Sequence, residues 1–476
     1  MKSAPTALQT DPRAGAGSRS GDRTYLFLSA FVAACGGFLF GYDIYIISPA
    51  VIFLEEAFDL TSVQVGFAIT SAILGCMAGP LFAGGLSDHL GRRTALQLAA
   101  LLFGISAVGT AVATNMPVLY LFRFVGGVAI GIASVVSPMY IAEIAPARIR
   151  GALVTMNQLA ITVGGLCSVV VCYFLSFSGA WRWMFASEVA PVIVFAVGLL
   201  YVPRSPRWLM AKGRHREAMD VLERVHGTVE ARRERAAIEE SLQEAQGTLA
   251  ELFRPGLRMA LVAAVGLAFF QQWAGASTVA TYAPLIFQKA GFLSASDAIF
   301  QTLFLVALNV TGTVVAITLL DRSGRRPLLL VGTAGIALSQ FLIGLHFHQG
   351  STGTLVVLSV LLCIGFYSIS MAPLTWLIMS EVFPTRLRGK AMALCATFLW
   401  TSAFVTGQLF PSVTEYFELH EGSPAGVFWI FGGIAVVALL FGWKLVPETK
   451  GHTLEEIAEF WRRPAAGARR AGADVE

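Results

Sequence analysis

The segment E-I-A-P-A-R-I-R-G at 143–151 returns almost unchanged as E-V-F-P-T-R-L-R-G at 381–389. A second segment, S-D-H-L-G-R-R at 87–93, returns as L-D-R-S-G-R-R at 320–326. Both segments occupy the same relative place in the two halves of the chain. The sequence therefore predicts two copies of one structural unit, arranged as a parallel repeat.

The composition places most of the chain in lipid. Of 476 residues, 55% are apolar and 13% are charged, whereas a soluble chain averages about a quarter charged residues. About 20 apolar residues cross a bilayer, and twelve runs approach or exceed that length, six on each side of one long charged stretch. The runs are 25–50, 62–86, 93–114, 116–141, 152–176, 182–202, 258–288, 297–320, 327–347, 353–379, 389–412 and 424–446. We expect an all-α membrane protein with twelve transmembrane helices.

The positions of the basic residues predict the orientation. Of 34 Lys and Arg residues, only Arg182 and Lys289 fall in connections that would face outwards, and Arg123 lies within a span. Because connections rich in Lys and Arg stay in the cytoplasm, we expect a multi-pass protein of the cell (inner) membrane with both termini cytoplasmic. The basic residues are scattered over separate loops, so nucleic-acid binding is not expected.

The chain divides into five predicted parts. These are a disordered N-terminal tail (1–23), a six-helix bundle (24–203), cytoplasmic linker helices (204–256), a second six-helix bundle (257–446) and a cytoplasmic C-terminal tail (447–476). The six cysteines all fall in apolar spans without metal-ligand spacing, which is typical of buried thiols. No metal site is expected.

No sequence feature indicates an enzyme or a nucleotide-driven pump. The P-loop motif G-x-x-x-x-G-K-[ST] is absent, and no nucleophile–base constellation appears. We therefore expect no cofactor, and any energy for transport would come from an ion gradient.

The chain resembles the sugar porter branch of the major facilitator superfamily over nearly all of 25–460. The motifs that carry the resemblance are G-Y-D at 41–43, G-L-S-D-H-L-G-R-R at 85–93, R-F-V-G-G at 123–127, P-M-Y-I-A-E-I-A-P-A-R-I-R-G at 138–151, W-R-W-M at 181–184, V-P-R-S-P-R-W-L at 202–209, Q-Q-W-A-G at 271–275, D-R-S-G-R-R at 321–326 and P-E-T-K-G at 447–451. The resemblance implies the major facilitator fold, with two bundles joined by a cytoplasmic helical linker. We expect a monomer that works by alternating access.

The repeated motifs predict a charge latch at the cytoplasmic helix ends. Ion pairs among these ends, and with the linker helices, would hold the cytoplasmic side shut while the other side is open. An exposed pair contributes only about 0–1 kcal/mol, so a network is needed; alternatively, the arginines only set the topology. The predicted members are Asp88, Arg92, Arg93, Glu143, Arg150, Asp321, Arg325, Arg326, Glu381 and Arg388. In P-R-S-P-R at 203–207, Arg204 stands where the family usually has an acid.

Three charged residues within spans are candidates for proton coupling. Asp43, Arg123 and Glu188 reach similar depths, ~9–11 Å below the outer surface at about 1.5 Å per residue, which makes an Asp43–Arg123 pair reasonable. If the halves rock so that this pair is made and broken, proton affinity becomes linked to the open side. The alternative is a permanent structural salt bridge. Bacterial xylose–proton symporters have aspartate and arginine at these two positions, and Glu188 is the weaker candidate.

Amide and aromatic side chains within spans are candidates for sugar binding. Amides donate and accept hydrogen bonds at once, although hydrogen bonds between helices are an alternative explanation. By resemblance, Gln158, Gln271, Gln272, Asn309 and Trp376 match sugar-contacting positions of the family, and Trp400 matches an aromatic residue of the same cavity.

Four positions depart from the family pattern at this predicted cavity. Gly165 and Leu399 replace amides, Ser277 replaces an asparagine at a substrate-binding position, and Thr281 replaces a tyrosine. We expect a roomier and less polar cavity that suits a bulkier or less hydroxylated substrate.

Taken together, these features favour a proton-coupled symporter for a sugar, polyol or sugar derivative, with the proton as coupling ion. An aromatic- or organic-acid/proton symporter, a facilitative uniporter and a non-transporting sugar sensor remain alternatives.

Overall fold

The computed structural model describes residues 21–146, 148–243, 248–254, 257–350 and 353–450. Twelve helices in this part are long and apolar enough to cross a membrane, six before the linker and six after it. The predicted fold class is confirmed. Nearly all of the predicted N-terminal tail, and the predicted C-terminal tail beyond Lys450, lie outside the described residues.

The first half contains seven helical segments that make six spans. They are α1 (Arg23–Phe58), α2 (Ser62–Leu90), α3 (Arg92–Ala111), α4 (Met116–Ile144), α5 (Arg150–Ser176), α6 (Trp181–Ala186) and α7 (Val189–Tyr201). Glycines let these helices approach closely. A Cβ atom on Gly127 of α4 would lie 1.8 Å from the carbonyl oxygen of Ala72 in α2, and one on Gly41 of α1 would lie equally close to that of Ile161 in α5.

The linker between the halves is helical, as predicted. Its segments are α8 (Pro206–Ala211), α9 (His215–His226), α10 (Thr228–Gln243) and a 3₁₀ turn at Leu249–Phe253. Ala218 and Leu222 of α9 pack with Trp208 and Leu209 of α8 in a small apolar core. We call the end of the bundles that carries these helices the linker end, and the opposite one the far end.

The second half contains nine segments that complete the other six spans. They are α11 (Arg258–Trp273), α12 (Ala276–Thr281), α13 (Ala283–Lys289), α14 (Ala295–Ser323), α15 (Arg325–His348), α16 (Thr354–Ile369), α17 (Met371–Glu381), α18 (Thr385–Glu421) and α19 (Ala425–Leu445). The break between α11 and α12 falls at Gly275, whose φ of +81° favours glycine. The break between α16 and α17 falls at Ser370, three residues before Pro373.

The two halves touch each other at the far end. There Thr70 Oγ1 of α2 donates to Gln408 Oε1 of α18 (2.9 Å), and Gln408 Nε2 donates to the carbonyl oxygen of Val63 (3.0 Å). Ser176 Oγ and Ser296 Oγ, from α5 and α14, lie 3.1 Å apart. The far end is therefore closed.

The linker end of the same helices is less closely packed at three glycines. A Cβ atom on Gly85 of α2, Gly151 of α5 or Gly389 of α18 would meet nothing within 4 Å. A Cβ atom on Gly66, at the far end of α2, would lie 2.8 Å from the carbonyl oxygen of Gln408. The helices α2 and α18 are thus in close contact at the far end, whereas these glycines at the linker end have no close neighbour.

Candidate functional site

The predicted ion pair between α1 and α4 is formed. Arg123 Nη1 donates to Asp43 Oδ1 and to the Asp43 carbonyl oxygen, the latter at 3.1 Å. Asp43 and Arg123 are 0% and 1% exposed. Within the described residues, the second carboxylate oxygen of Asp43 and the Nε of Arg123 have no hydrogen-bond partner. The pair is buried, and the described residues satisfy only part of its hydrogen-bonding capacity.

Small and aromatic neighbours enclose this pair. A Cβ atom on Gly126, in α4, would lie 2.6 Å from Asp43 Oδ2 and 2.4 Å from Ser106 Oγ. The ring centroid of Phe185, in α6, lies 5.9 Å from the guanidinium carbon of Arg123. Because glycine leaves room at this point and phenylalanine covers the other side, the carboxylate fits without direct contact to bulk water.

Glu188 lies beside the pair, at the break between α6 and α7. Its side chain is 1% exposed, it interacts electrostatically with Asp43 and Arg123, and its Oε1 has no partner among the described residues. Tyr42 and Ser187 hydroxyls, 2.7 Å apart, hold the break against α1. Two buried carboxyl groups thus lie near one guanidinium, which is paired with Asp43. The group is electrically neutral only when it also binds one proton, and uncompensated charge at this depth is costly.

The two adjacent glutamines lie at the broken end of α11. Gln271 Nε2 donates to the carbonyl oxygens of Met371 (3.0 Å) and Ala372 (3.3 Å) in α17, and Gln272 Nε2 lies 3.5 Å from Gln271 Oε1. Gln271 therefore forms hydrogen bonds between helices, which is the alternative to sugar binding for this residue. Gln272 keeps its carbonyl oxygen free of protein donors in the part of the chain that the structure describes.

Gln158 faces away from the lipid side of α5. It is exposed, yet it lies about 160° around the helix from Phe174, which is 68% exposed on the outer surface. Gln158 instead lies within about 20° around the helix of Gly165, the position that faces Tyr45 of α1.

The other predicted substrate residues lie on four segments of the second half, and one of them contacts the first half. Asn309 is 7% exposed on α14, Ser277 lies beside the Tyr367 hydroxyl, and Trp376 is exposed on α17. The Trp400 ring lies 6.1 Å from the Phe40 ring of the first half. Leu399 is buried at 2% exposure.

The extra space expected at Gly165 is absent, so that prediction is wrong. A Cβ atom on Gly165 would lie 2.6 Å from Cδ2 of Tyr45, because the tyrosine ring occupies the place that a longer side chain at 165 would take.

The latch residues of the first half form a cluster. Arg92 contacts Glu143 (3.0 Å) and Asp88 (2.9 Å), and the hydroxyl of Ser205, at the linker entry, donates to the other Glu143 oxygen. Arg204 itself is exposed and lies over the Trp208 ring at 5.4 Å.

The second half repeats this cluster. Arg325 contacts Glu381 (3.3 Å), and Thr449 Oγ1 donates to the other Glu381 oxygen (2.5 Å). Glu448 Oε1 and Oε2 accept from the backbone N–H groups of Arg325 (2.9 Å) and Arg326 (3.0 Å) at the start of α15.

The remaining predicted latch residues have other partners. Arg93 donates to the Leu200 carbonyl oxygen, Arg326 donates to that of Trp443, and Arg150 pairs with Glu234 of the linker at 3.2 Å. Nε and Nη2 of Arg388 have no partner among the described residues, and the side chain of Asp321 lies outside them. Every described pair among the latch residues stays within one half, or joins it to the linker, so these pairs coexist with an open linker end.

Sequence reasoning missed the polar contacts that close the far end. Gln408 is an amide within a predicted span, and that signal could have singled it out, as it did the other glutamines. Ser205 and Thr449 carried no such signal, since hydroxyls are common at helix ends.

Comparison with known proteins places these features in context. A profile of the family described as "Sugar (and other) transporter" matches residues 29–461. The D-xylose-proton symporter of Escherichia coli (strain K12) is 37% identical, over 92% of this chain and 96% of its own. The arabinose-proton symporter of Bacillus subtilis (strain 168) is also 37% identical, over 97% and 100%. The inward open conformation of the xylose transporter XylE from E. coli superposes with a TM-score of 0.81 at 36% identity, over 92% of this chain and 100% of that one.

Proposed function

The chain belongs to the Sugar (and other) transporter family, the sugar porters of the major facilitator superfamily, and on that premise we propose that it is a proton-coupled symporter importing a sugar or polyol by alternating access. The observation that carries the proposal is the buried ion pair of Asp43 and Arg123, with a second buried carboxyl group, Glu188, beside it. The proton-symporter names of the similar proteins support the same function.

The orientation follows from the distribution of positive charge. The loops and helices at the linker end carry most of the Lys and Arg residues, which the positive-inside rule assigns to the cytoplasm. In that orientation the structure is open to the cytoplasm and closed to the outside, in keeping with its likeness to an inward open structure. The working unit is the monomer, because one chain supplies all of the coupling and binding residues.

The buried group couples the proton to transport through α1. Asp43 lies on the same helix as Phe40, whose ring contacts Trp400 of the second half. When the halves rock, this contact must change, and α1 carries the change to the carboxyl group three residues on. Water reaches Asp43 from one side at a time, so a proton taken up outside is released inside.

The sugar binds between the halves at the amides. Gln158 from the first half, with Gln272 and Asn309 from the second, offers both donors and acceptors. Gln271 supports this set from behind by holding the break of α17. Because these amides come from both halves, bound sugar favours the state in which the halves approach each other.

Asp43→Asn tests the coupling in proteoliposomes with an imposed pH gradient. Removing the ionisable group should abolish uphill accumulation of sugar but leave exchange of labelled for unlabelled sugar. Asp59→Asn is the matched control: Asp59 is exposed, and its positive φ of 50° suits asparagine equally well. Full gradient-driven accumulation by Asp43→Asn would remove Asp43 from the mechanism. Uptake of aromatic acids but of no sugar would favour the acid-symporter alternative.

A further inference from the structure

We propose that Tyr45 sets the substrate specificity of this carrier and that its preferred substrate is a deoxy sugar, a ring that lacks one of the usual hydroxyl groups. The inference rests on the proposed sugar-transport function and narrows it. It starts from the replacement of an amide position by Gly165 and from what fills the vacated space.

Tyr45 and Gly165 fit together as a pair. The ring of Tyr45 lies where a side chain at 165 would be, since a Cβ atom there would come within 2.6 Å of Cδ2 and 3.0 Å of Cε2. A glutamine at 165 and a tyrosine at 45 cannot occupy this place together. In this chain the wall between α1 and α5 is therefore an aromatic ring instead of an amide.

The tyrosine ring lies where the two halves meet. Tyr45 is only partly buried, and it packs against the apolar cluster that extends into the second half. Its phenol lies near that of Tyr367 on α16, and Tyr367 in turn lies beside Ser277. Tyr45 thus lies at the interface of the halves, close to the second-half residues that replace or neighbour the family's sugar contacts.

The aromatic wall changes which ring fits best. A sugar hydroxyl directed at the face of Tyr45 would leave water without gaining a hydrogen bond, which is unfavourable. A C–H edge at the same place would gain contact with the ring. The facing wall in the second half remains polar through Gln272 and Asn309 and can bind the other hydroxyls. The preferred ring therefore has hydroxyls on one side and an apolar edge on the other.

The experiment compares kcat/KM for D-glucose and D-xylose with the values for their monodeoxy analogues in proteoliposomes. For the wild type, at least one analogue should be preferred over its parent by about 10–100-fold, the range over which a pocket discriminates a single hydroxyl. The double variant Tyr45→Ala/Gly165→Gln, which restores an amide, should reverse that preference. Gly165→Gln alone should transport poorly because it clashes with Tyr45, and Tyr45→Ala should rescue it.

Tyr45→Phe separates ring contact from hydrogen bonding. It should keep the wild-type ratio, whereas Tyr45→Ala should lose it. Gradient-driven uptake in which every parent sugar is preferred, or a ratio unchanged in both Tyr45→Ala and the double variant, overturns the inference and leaves proton-coupled sugar transport standing. Uptake of no sugar at all overturns the proposed function as well. If the double variant does not reach the membrane, Tyr45→Ala carries the test.

Discussion

The linker ends of the two halves repeat one design but differ in the charge at one position. In the second half, Glu448 accepts hydrogen bonds from the first backbone N–H groups of α15. In the first half, the residue between proline and the hydroxyl side chain is Arg204, and no side chain within the described ranges caps α3. An anion stabilises a helix N-terminus and a cation does not. One copy of the repeat is therefore capped and the other is not.

A tryptophan takes the place of the carboxylate in the first half. Gly91 and Gly324 precede the two helices with nearly equal φ, +89° and +83°. A Cβ atom on Gly324 would lie 2.8 Å from Glu448 Oε2, whereas one on Gly91 would lie 3.1 Å from Cε2 of Trp208. The indole nitrogen of Trp208 also donates to the Asp88 carbonyl oxygen at 3.0 Å. The first half thus uses aromatic packing from the linker where the second uses charged hydrogen bonds.

The two clusters should differ most in the stability that is lost when the glutamate at the centre of each is removed. Glu143 and Arg92 have side chains that are 9% and 10% exposed, against 20% and 18% for Glu381 and Arg325. Removing one partner of a buried pair leaves the other charge uncompensated, which costs about 3–5 kcal/mol when burial is complete. Glu143→Ala should therefore lower the melting temperature in detergent more than Glu381→Ala does.

The glutamine variants serve as controls for this comparison. Glu143→Gln and Glu381→Gln keep an acceptor for Ser205 and Thr449. Each should therefore lower the melting temperature less than its alanine counterpart does. Equal losses for the two alanine variants would mean that burial does not distinguish the clusters.

A smaller difference should appear in the dependence of stability on pH. Burial raises the pKa of Glu448, but backbone N–H groups of Lys450, Arg325, Arg326 and Thr449 outweigh it and hold the pKa below its ordinary value. The stabilisation is present above that ordinary value and is lost as the pH falls through the lowered pKa. Glu448→Gln should cost about 0.5–2 kcal/mol at neutral pH and flatten the acid side of the stability profile.

Arg204→Gln is the matched control because it changes the corresponding position of the first half. It leaves Glu448 and its hydrogen bonds in place, so the acid side of the profile should stay as in the wild type. A profile for Glu448→Gln that follows the wild type down to acid pH would contradict the assignment of the cap.

The sequence predicts both the spans and the Asp43–Arg123 pair, for the same physical reason. A helix rises by a fixed length per residue, so apolar run length gives the number of spans, and counting from the helix ends gives the shared depth of Asp43 and Arg123. Counting residues does not tell how each helix is rotated about its own axis. That rotation determines that Gln271 donates to the backbone of α17 and that Tyr45 covers Gly165. Neither contact could be predicted from the depth of these residues alone.

Counting residues also cannot predict which end of the transporter is closed. The contact between Thr70 and Gln408 depends on which end is closed, and the same sequence must form both states. The repeated motifs did predict the two clusters at the linker end, because acid and arginine spacing is local. They did not reveal that the first half replaces its helix cap with Trp208, a residue contributed by the linker.

Arg204→Glu is the smallest and sharpest test of the difference between the halves. It should install in the first half the cap that Glu448 provides in the second, with a gain of at most about 1 kcal/mol, because the new carboxylate must share the turn before α3 with Trp208. The gain should vanish at acid pH, when the carboxylate is protonated, whereas Arg204→Gln should give a smaller gain that does not depend on pH. Melting temperatures of the three proteins across pH separate these effects. A loss of stability in Arg204→Glu at neutral pH would show that the nearby Glu143 and Asp88 repel a third acid. Arg204 would then serve to neutralise these two carboxylates, whereas Glu448 in the second half caps a helix.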